Sequence, residues 1–118
     1  MKIIINNDEI SAEEKSKEVR TDSIKNIIRV IQVTTGEAVF ANDQDFHIFE
    51  IRNEFWVPQS IIIENDLNDI ESWCSNQKIR YETKHFDYPP KAFWKKRFLI
   101  KYAVVSPGIY SKKSVTEI

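Results

Sequence analysis

The sequence is poor in cysteine, glycine and histidine, and each scarcity excludes a kind of site. Cys74 is the only cysteine among 118 residues, which excludes an intramolecular disulfide and argues against a disulfide-stapled secreted scaffold. Gly36 and Gly108 are the only glycines, too few for a glycine-rich phosphate loop. His47 and His85 lack the spacing of a zinc site, and no serine lies in a nucleophile elbow. We therefore expect no metal, no cofactor and no enzymatic activity.

Long apolar runs are also missing. No stretch approaches the length of a membrane span, and the opening residues MKIIINNDE lack the apolar core and cleavage site of a signal peptide. With 42% hydrophobic and 30% charged residues, the composition is typical of a soluble globular protein. We expect a single domain over residues 1–118, located in the cytoplasm, without a membrane partner.

The chain is organised around the stretch from Asn26 to Ile63, where apolar, β-branched and aromatic runs alternate with turn-forming clusters. Turns are expected at Gly36, at residues 42–45 and at Asn53, which we expect to be left-handed. The predicted strands are Ile27–Val33, Glu37–Ala41, Phe46–Ile51 and Phe55–Ile63. The isoleucines near the start of this stretch also fit a helical period, but the β-branched residues and the nearby glycine favour a strand.

The flanking segments predict further elements. Ser11 followed by Glu14 matches a capping box and predicts a helix over Ser11–Arg20, within a peripheral, helical or poorly ordered segment 1–22. The other expected elements are an edge strand or frayed end at Met1–Asn6, a helix at about Leu67–Ser75 capped by Asn65 or Asp66, a strand or extended loop at Lys78–Lys84, a strand at Arg97–Val105 and a tail over residues 106–118.

These elements give the predicted fold class, which is α+β or mainly β. Four to five strands form an antiparallel meander that curls into a partly open small barrel, with one or two short helices. An exposed edge strand, such as Met1–Asn6 or Arg97–Val105, would permit a homodimer by extension of the sheet.

Charge is distributed unevenly along the chain although the net charge is −1. Between Glu37 and Glu71 there are nine acidic residues and one basic residue, Arg52, which gives a net charge of −8. Between Lys78 and Lys101 there are eight basic and two acidic residues, which gives a net charge of +6. Such asymmetry favours a binding role for one or both segments.

Two short motifs resemble a pattern in small phage and prophage proteins, in which a T-G/E-K-A strand leads through a hairpin to V-W-I-P-K-S-Q-I. The first motif falls on residues 35–38, TGEA, and the second on residues 55–61, FWVPQSI. Gln59 stands where that pattern has a lysine, and its W-L-A-E-K-K-G-L ending is missing. The resemblance implies an origin in a mobile element and no active site.

The acidic segment and this resemblance together suggest a non-enzymatic accessory protein that binds and blocks a host protein. The target would handle nucleic acid or act in host defence, as with an anti-CRISPR-like inhibitor, because acidic side chains can complement a basic groove. The candidate protein-binding residues are Asp43, Asp45, Glu50, Glu54, Phe55 and Trp56. Trp56 is either an exposed anchor of this surface or a core residue.

Two alternatives remain open at the level of sequence. The basic and aromatic stretch 78–102 could bind single-stranded DNA or RNA, or its aromatic residues could belong to a core rimmed by lysines. The candidate nucleic-acid-binding residues are Tyr81, Lys84, Trp94, Lys95, Lys96, Arg97 and Lys101. A metal-dependent nuclease is the weakest alternative, and it would use Asp45, Glu50 and Arg52.

Overall fold

The computed structural model describes residues 1–35, 44–64, 69–86 and 107–114. This part of the chain is mostly β and contains one α-helix, α1 at Ile70–Gln77. In chain order the strands are β1 Lys2–Ile5, β2 Glu9–Glu14, β3 Lys17–Ser23, β4 Ile27–Thr35, β5 Gln44–Ile51, β6 Glu54–Val57, β7 Ser60–Ile63, β8 Arg80–Phe86 and β9 Gly108–Ser111.

Four of these strands form a mixed sheet in the order β3-β2-β1-β7. β2 pairs antiparallel with both β1 and β3, whereas β7 pairs parallel with β1. Alternation along β1 and β2 places Ile3, Ile5, Ile10 and Ala12 on one buried face. The opposite, outer face is polar over β2 and β3 and becomes apolar toward β7.

The helix predicted at Ser11–Arg20 is wrong, because these residues form the β2–β3 hairpin. The hairpin turns at Lys15 and Ser16. Their φ angles of 50° and 67° fit a type I′ turn, whose backbone twist matches the right-handed twist of the two strands. Ile10 and Ala12 give the segment a period of two, and their pairing with β1 outweighs the local capping-box pattern. β1 itself lies inside the sheet and is neither an edge strand nor a frayed end.

The other five strands form a second mixed sheet in the order β8-β4-β5-β6-β9. β4 and β8 are parallel, and the remaining neighbours are antiparallel. The expected meander is therefore correct only for β4, β5 and β6, and the described residues do not close into a barrel. The segment expected as one strand over Phe55–Ile63 is split at Pro58, after which β7 joins the four-stranded sheet.

Several local predictions differ from the structure. Residues 108–111, expected within a tail, form β9 beside β6. Arg52, not Asn53, has the positive φ, 53°, at the β5–β6 turn. The predicted helix exists but begins later, since Asp69 is its N-cap and accepts a hydrogen bond from the Glu71 N–H at 3.0 Å. The predictions for Gly36, Glu37–Ala41, residues 42–43, the caps Asn65 and Asp66, and Arg97–Val105 lie outside the described residues.

The main core lies between the two sheets and α1. The four-stranded sheet contributes its isoleucines, the five-stranded sheet contributes Val30, Phe49 and Trp56, and α1 contributes Trp73 and Cys74. A second cluster, Ile31, Val33, Ile48, Phe55 and Val57, lies on the opposite face of the five-stranded sheet and is also buried. The five-stranded sheet is therefore apolar on both faces. No helix in the described ranges is long and apolar enough to cross a membrane.

Candidate functional site

A row of alternating charges crosses the five-stranded sheet on the face of the second cluster. Arg29 on β4 donates from Nε to Glu50 Oε1 at 2.6 Å and from Nη1 to Glu82 Oε2 at 2.5 Å. Lys112, just after β9, donates to Glu50 Oε2 at 2.6 Å, and Arg80 donates to Glu82 Oε1 at 2.9 Å. We call Lys112, Glu50, Arg29, Glu82 and Arg80 the ionic row.

The centre of the ionic row is buried, with Arg29 8% exposed and Glu50 6% exposed. Burial alone would raise the pKa of Glu50, but the hydrogen bonds from Lys112 and Arg29 outweigh it and hold that pKa below its ordinary value. The hydrogen bond from Arg29 likewise lowers the pKa of Glu82. Both carboxylates stay ionised, and their charges are compensated inside the row. The ionic row links β4, β5 and β8 to Lys112 at the end of β9, and these contacts stabilise the fold.

This arrangement separates the grouping suggested for a nuclease. Both oxygens of Glu50 are bound to cations, and Arg52 pairs with Asp22 at 3.0 Å instead. The side chain of Asp45 is not among those described. Within the described ranges, no three histidine, cysteine, aspartate or glutamate side chains converge as metal ligands would.

Cys74 is buried in α1 and is not an activated thiol. Burial, together with the nearby charges of Asp69 and Glu71, raises the pKa of Cys74 to about 12. A thiol with that pKa is protonated at neutral pH and reacts slowly. Cys74 is therefore a core residue of α1.

The predicted protein-binding residues are mostly structural. Phe55 and Trp56 are 1% and 0% exposed, so neither side chain is an exposed anchor. Glu54 binds Arg20 through both oxygens, at 2.9 and 2.7 Å, and accepts a hydrogen bond from Trp56 Nε1 at 3.4 Å. It thereby ties β3 to the five-stranded sheet. Asp43 lies outside the described residues, as does the side chain of Asp45.

The described part of the predicted nucleic-acid surface is divided between two faces. Tyr81 points toward the main core, where its hydroxyl donates to Gln32 Oε1 at 2.9 Å and its ring lies beside His47. Lys84 is on the opposite face of β8, because three positions separate it from Tyr81. Trp94, Lys95, Lys96, Arg97 and Lys101 lie outside the described residues.

The outer face of the β2–β3 hairpin presents a different arrangement of charge. Glu13 and Glu18 are directly opposite each other across the two strands. Lys2 approaches Glu13 only to 4.0 Å, and Glu18 Oε1 accepts a hydrogen bond from the Ser11 hydroxyl at 3.5 Å. No cation lies within ion-pair distance of Glu18 among the residues that the structure describes. The remaining outer-face side chains here are Glu9, Ser11, Thr21 and Ser23. We call these six residues the hairpin face.

No family model, curated protein or solved structure matches this chain.

Sequence reasoning missed both features, and for different reasons. The capping box predicts a helix over Ser11–Arg20, and on a helix Glu13 and Glu18 are not direct neighbours. The hairpin face therefore does not emerge from that prediction. The alternation of Ile10 and Ala12 with polar residues was the available signal. The ionic row was visible in principle, since Arg29 and Glu50 interrupt two neighbouring apolar runs, and opposite charges inside adjacent strands suggest a pair.

Proposed function

We propose that this chain is a non-enzymatic accessory protein of the phage or mobile-element type, which binds and blocks a host protein that handles nucleic acid or acts in defence. The observation that supports this proposal is the direct opposition of Glu13 and Glu18 on the hairpin face, where Lys2 pairs with Glu13 only at 4.0 Å and no described cation pairs with Glu18. The short resemblance to phage and prophage proteins agrees with it.

Like charges directly opposite each other on a sheet are destabilising, by up to about 1 kcal/mol relative to a neutral pair. Elsewhere in the described chain, carboxylates on the strands obtain close cationic partners, as in the ionic row and in the Arg20–Glu54 pair. Glu18 does not. A lysine or arginine from another protein, placed between Glu13 and Glu18, would remove the repulsion and gain two charge-assisted hydrogen bonds.

The chemistry of the hairpin face also indicates the class of partner. Carboxylates interspersed with hydroxyl groups present a row of oxygen acceptors along the strand pair, as a phosphate backbone does along a duplex. Proteins that handle nucleic acid expose clustered lysine and arginine side chains that recognise such acceptors. We therefore propose the hairpin face as the binding surface in place of the buried Phe55 and Trp56. The prediction for Asp43 and Asp45, whose side chains are not described, stays a prediction.

Affinity capture from host lysate tests the proposal. The immobilised wild-type chain is compared with the double variant Glu13→Gln/Glu18→Gln. A matched control, Glu64→Gln/Glu71→Gln, removes two exposed carboxylates that do not belong to the hairpin face. We expect a captured nucleic-acid-binding protein whose affinity falls at least tenfold, about 1.4 kcal/mol, in the hairpin-face variant only. Added DNA should compete with the capture.

Two results would contradict the proposal. Equal capture by the folded hairpin-face variant would show that the surface is wrong. A captured set without any protein that binds nucleic acid would show that the class of target is wrong. Labelled single-stranded DNA and RNA provide a direct comparison, because salt-sensitive binding to them would instead favour the basic and aromatic stretch 78–102.

A further inference from the structure

The two edges of the four-stranded sheet differ in how they are protected. β3 carries charged residues at Lys17, Glu18, Arg20 and Asp22, and a β-bulge leaves Val19 without a partner on β2. Charges and bulges are the usual devices that prevent an edge strand from pairing with another chain. β3 is therefore a protected edge.

The other edge, β7, has neither device. Its sequence is Ser-Ile-Ile-Ile, without a charge, a proline or a bulge, and it pairs only with β1 among the described residues. Ile62 is 44% exposed, although it is a large apolar side chain. An apolar, regular edge strand of this kind is a template for pairing with a further strand.

The direction of the backbone groups on β7 can be assigned. The Glu64 N–H donates to the Ile5 carbonyl at 2.8 Å and so points toward β1. Because successive residues of a strand point their N–H and C=O groups in opposite directions, the backbone groups of Ile62 also face β1. Those of Ile61 and Ile63 point to the side of β7 that no described strand occupies. An added antiparallel strand pairs with two such residues.

We propose that two copies of this chain form a homodimer by antiparallel pairing of β7 with β7, around a two-fold axis at Ile62. In this register Ile61 of each copy pairs with Ile63 of the other, and the four available N–H and C=O pairs form four hydrogen bonds. Ile62 faces Ile62 of the second copy in a non-hydrogen-bonded pair, in which side chains are closest. The result is a continuous eight-stranded sheet.

The side chains are complementary in this register. On the outer face, Ile4 and Ile62 are neighbours across β1 and β7, so the dimer would join two such pairs into one apolar row. On the inner face, Ile63 of the second copy would lie beside Ile61, next to a cleft of about 190 Å³ lined by Phe46, His47, Pro58, Gln59, Ser60 and Ile61. Glu64 would face Ser60, so no like charges oppose each other.

Neighbouring registers are less favourable. A shift by two residues in one direction places Ile62 opposite Ser60, and the same shift in the other direction places Ile62 opposite Glu64. Either shift leaves Ile62 without its apolar partner. It also replaces the two Ile61–Ile63 pairs, with four hydrogen bonds, by one pair of Ile61 with Ile61 or of Ile63 with Ile63, with two hydrogen bonds. The self-complementarity of β7 is why a second copy, and not an unrelated strand, is the occupant proposed. This inference uses a different surface from the hairpin face and does not depend on the proposed function.

Light scattering coupled to size-exclusion chromatography tests the proposal, from micromolar to millimolar protein. We expect the wild-type chain to be dimeric at the upper end of this range. Ile62→Lys should be monomeric and folded, since it places two ammonium groups opposite each other at an already exposed position. The matched control, Val19→Lys at the similarly exposed position on β3, should remain dimeric. A monomeric wild-type chain throughout the range, or a dimer that Ile62→Lys leaves intact, would overturn the proposal.

A mixing experiment tests the register itself. Ile62→Lys and Ile62→Glu should each be monomeric, and an equimolar mixture should form a heterodimer because lysine then faces glutamate across the two-fold axis. The heterodimer should dissociate as salt is added. If the two variants do not associate although the wild-type chain dimerises, Ile62 does not face Ile62 and the proposed register is wrong.

Discussion

The two sheets use charge in opposite ways. In the five-stranded sheet both faces bury apolar side chains, and the ionic row compensates each buried carboxylate with cations at 2.5–2.9 Å. In the four-stranded sheet only one face is buried, and Glu13 and Glu18 oppose each other on the outer face without close cations. The compensated charges of the ionic row stabilise the five-stranded sheet, and this difference is the reason why we propose the hairpin face, and not the ionic row, as the binding surface.

The largest effect should come from the shared core. Trp56→Ala removes a completely buried indole at the contact between the sheets and should lower the free energy of unfolding by about 3–5 kcal/mol. Val19→Ala, at a position 50% exposed on β3, should change it by less than about 0.5 kcal/mol. Urea unfolding followed by circular dichroism measures both. Similar losses in the two variants would contradict the burial described at these two positions.

Breaking the ionic row should be nearly as costly. Arg29→Met leaves Glu82 Oε2 and Glu50 Oε1 without their cation. It should destabilise the chain by about 3 kcal/mol, the lower end of the range for buried pairs, because Arg80 still binds Glu82 and Lys112 still binds Glu50. The matched change Arg20→Met breaks the more exposed pair with Glu54 and should cost less than about 1 kcal/mol.

A double-mutant cycle shows whether that cost comes from the row. Glu82→Gln in the Arg29→Met background removes a carboxylate that has already lost its ion pair with Arg29 and keeps only Arg80, so the loss in the double variant should be smaller than the sum of the two single losses. Additive losses would show that Arg29 stabilises the sheet by packing and not through Glu82.

The ionic row should also determine the response to acid. The pKa values of Glu50 and Glu82 are lowered in the folded state, so the unfolded chain binds more protons than the folded chain as these groups titrate. Their stabilisation is complete above the unfolded glutamate pKa of about 4.3 and is lost as the pH falls through the lowered folded values. Urea midpoints measured between neutral and acidic pH should decline in this window, and less steeply in Glu82→Gln. An unchanged slope in that variant would contradict the assignment to Glu82.

The sequence predicted the five-stranded sheet better than the four-stranded one, for physical reasons. β4 and β5 are long, β-branched runs whose alternation is a local property, and they lie where the sequence placed them. β1, β2 and β7 are short, and they become strands because they pair with one another across up to 58 positions. The capping-box pattern at Ser11 and Glu14 depends only on neighbouring residues and contains no information about distant pairing. It therefore predicts a helix where tertiary contacts form a hairpin.

The same reasoning explains which site residues could be identified. Trp56 and Phe55 were recognised as important, but alternation alone does not decide which faces of a sheet are covered. The structure buries both faces of β6, which makes both residues core. Glu13 and Glu18 become opposite neighbours only through the bulge in β3, a detail of backbone register that composition does not reveal.

The smallest expected effect is a gain in stability. Glu18→Lys replaces the like-charge pair on the hairpin face with an opposite-charge pair and should raise the free energy of unfolding by about 0.5 kcal/mol. Glu9→Lys makes the same change of charge on the same face, but Glu9 is opposite Ser23, so it should have almost no effect. Added salt should reduce the difference between wild type and Glu18→Lys, because it screens the repulsion that only the wild type contains. Equal stabilisation by both variants would indicate a general response to net charge and would leave the Glu13–Glu18 opposition without a measurable cost.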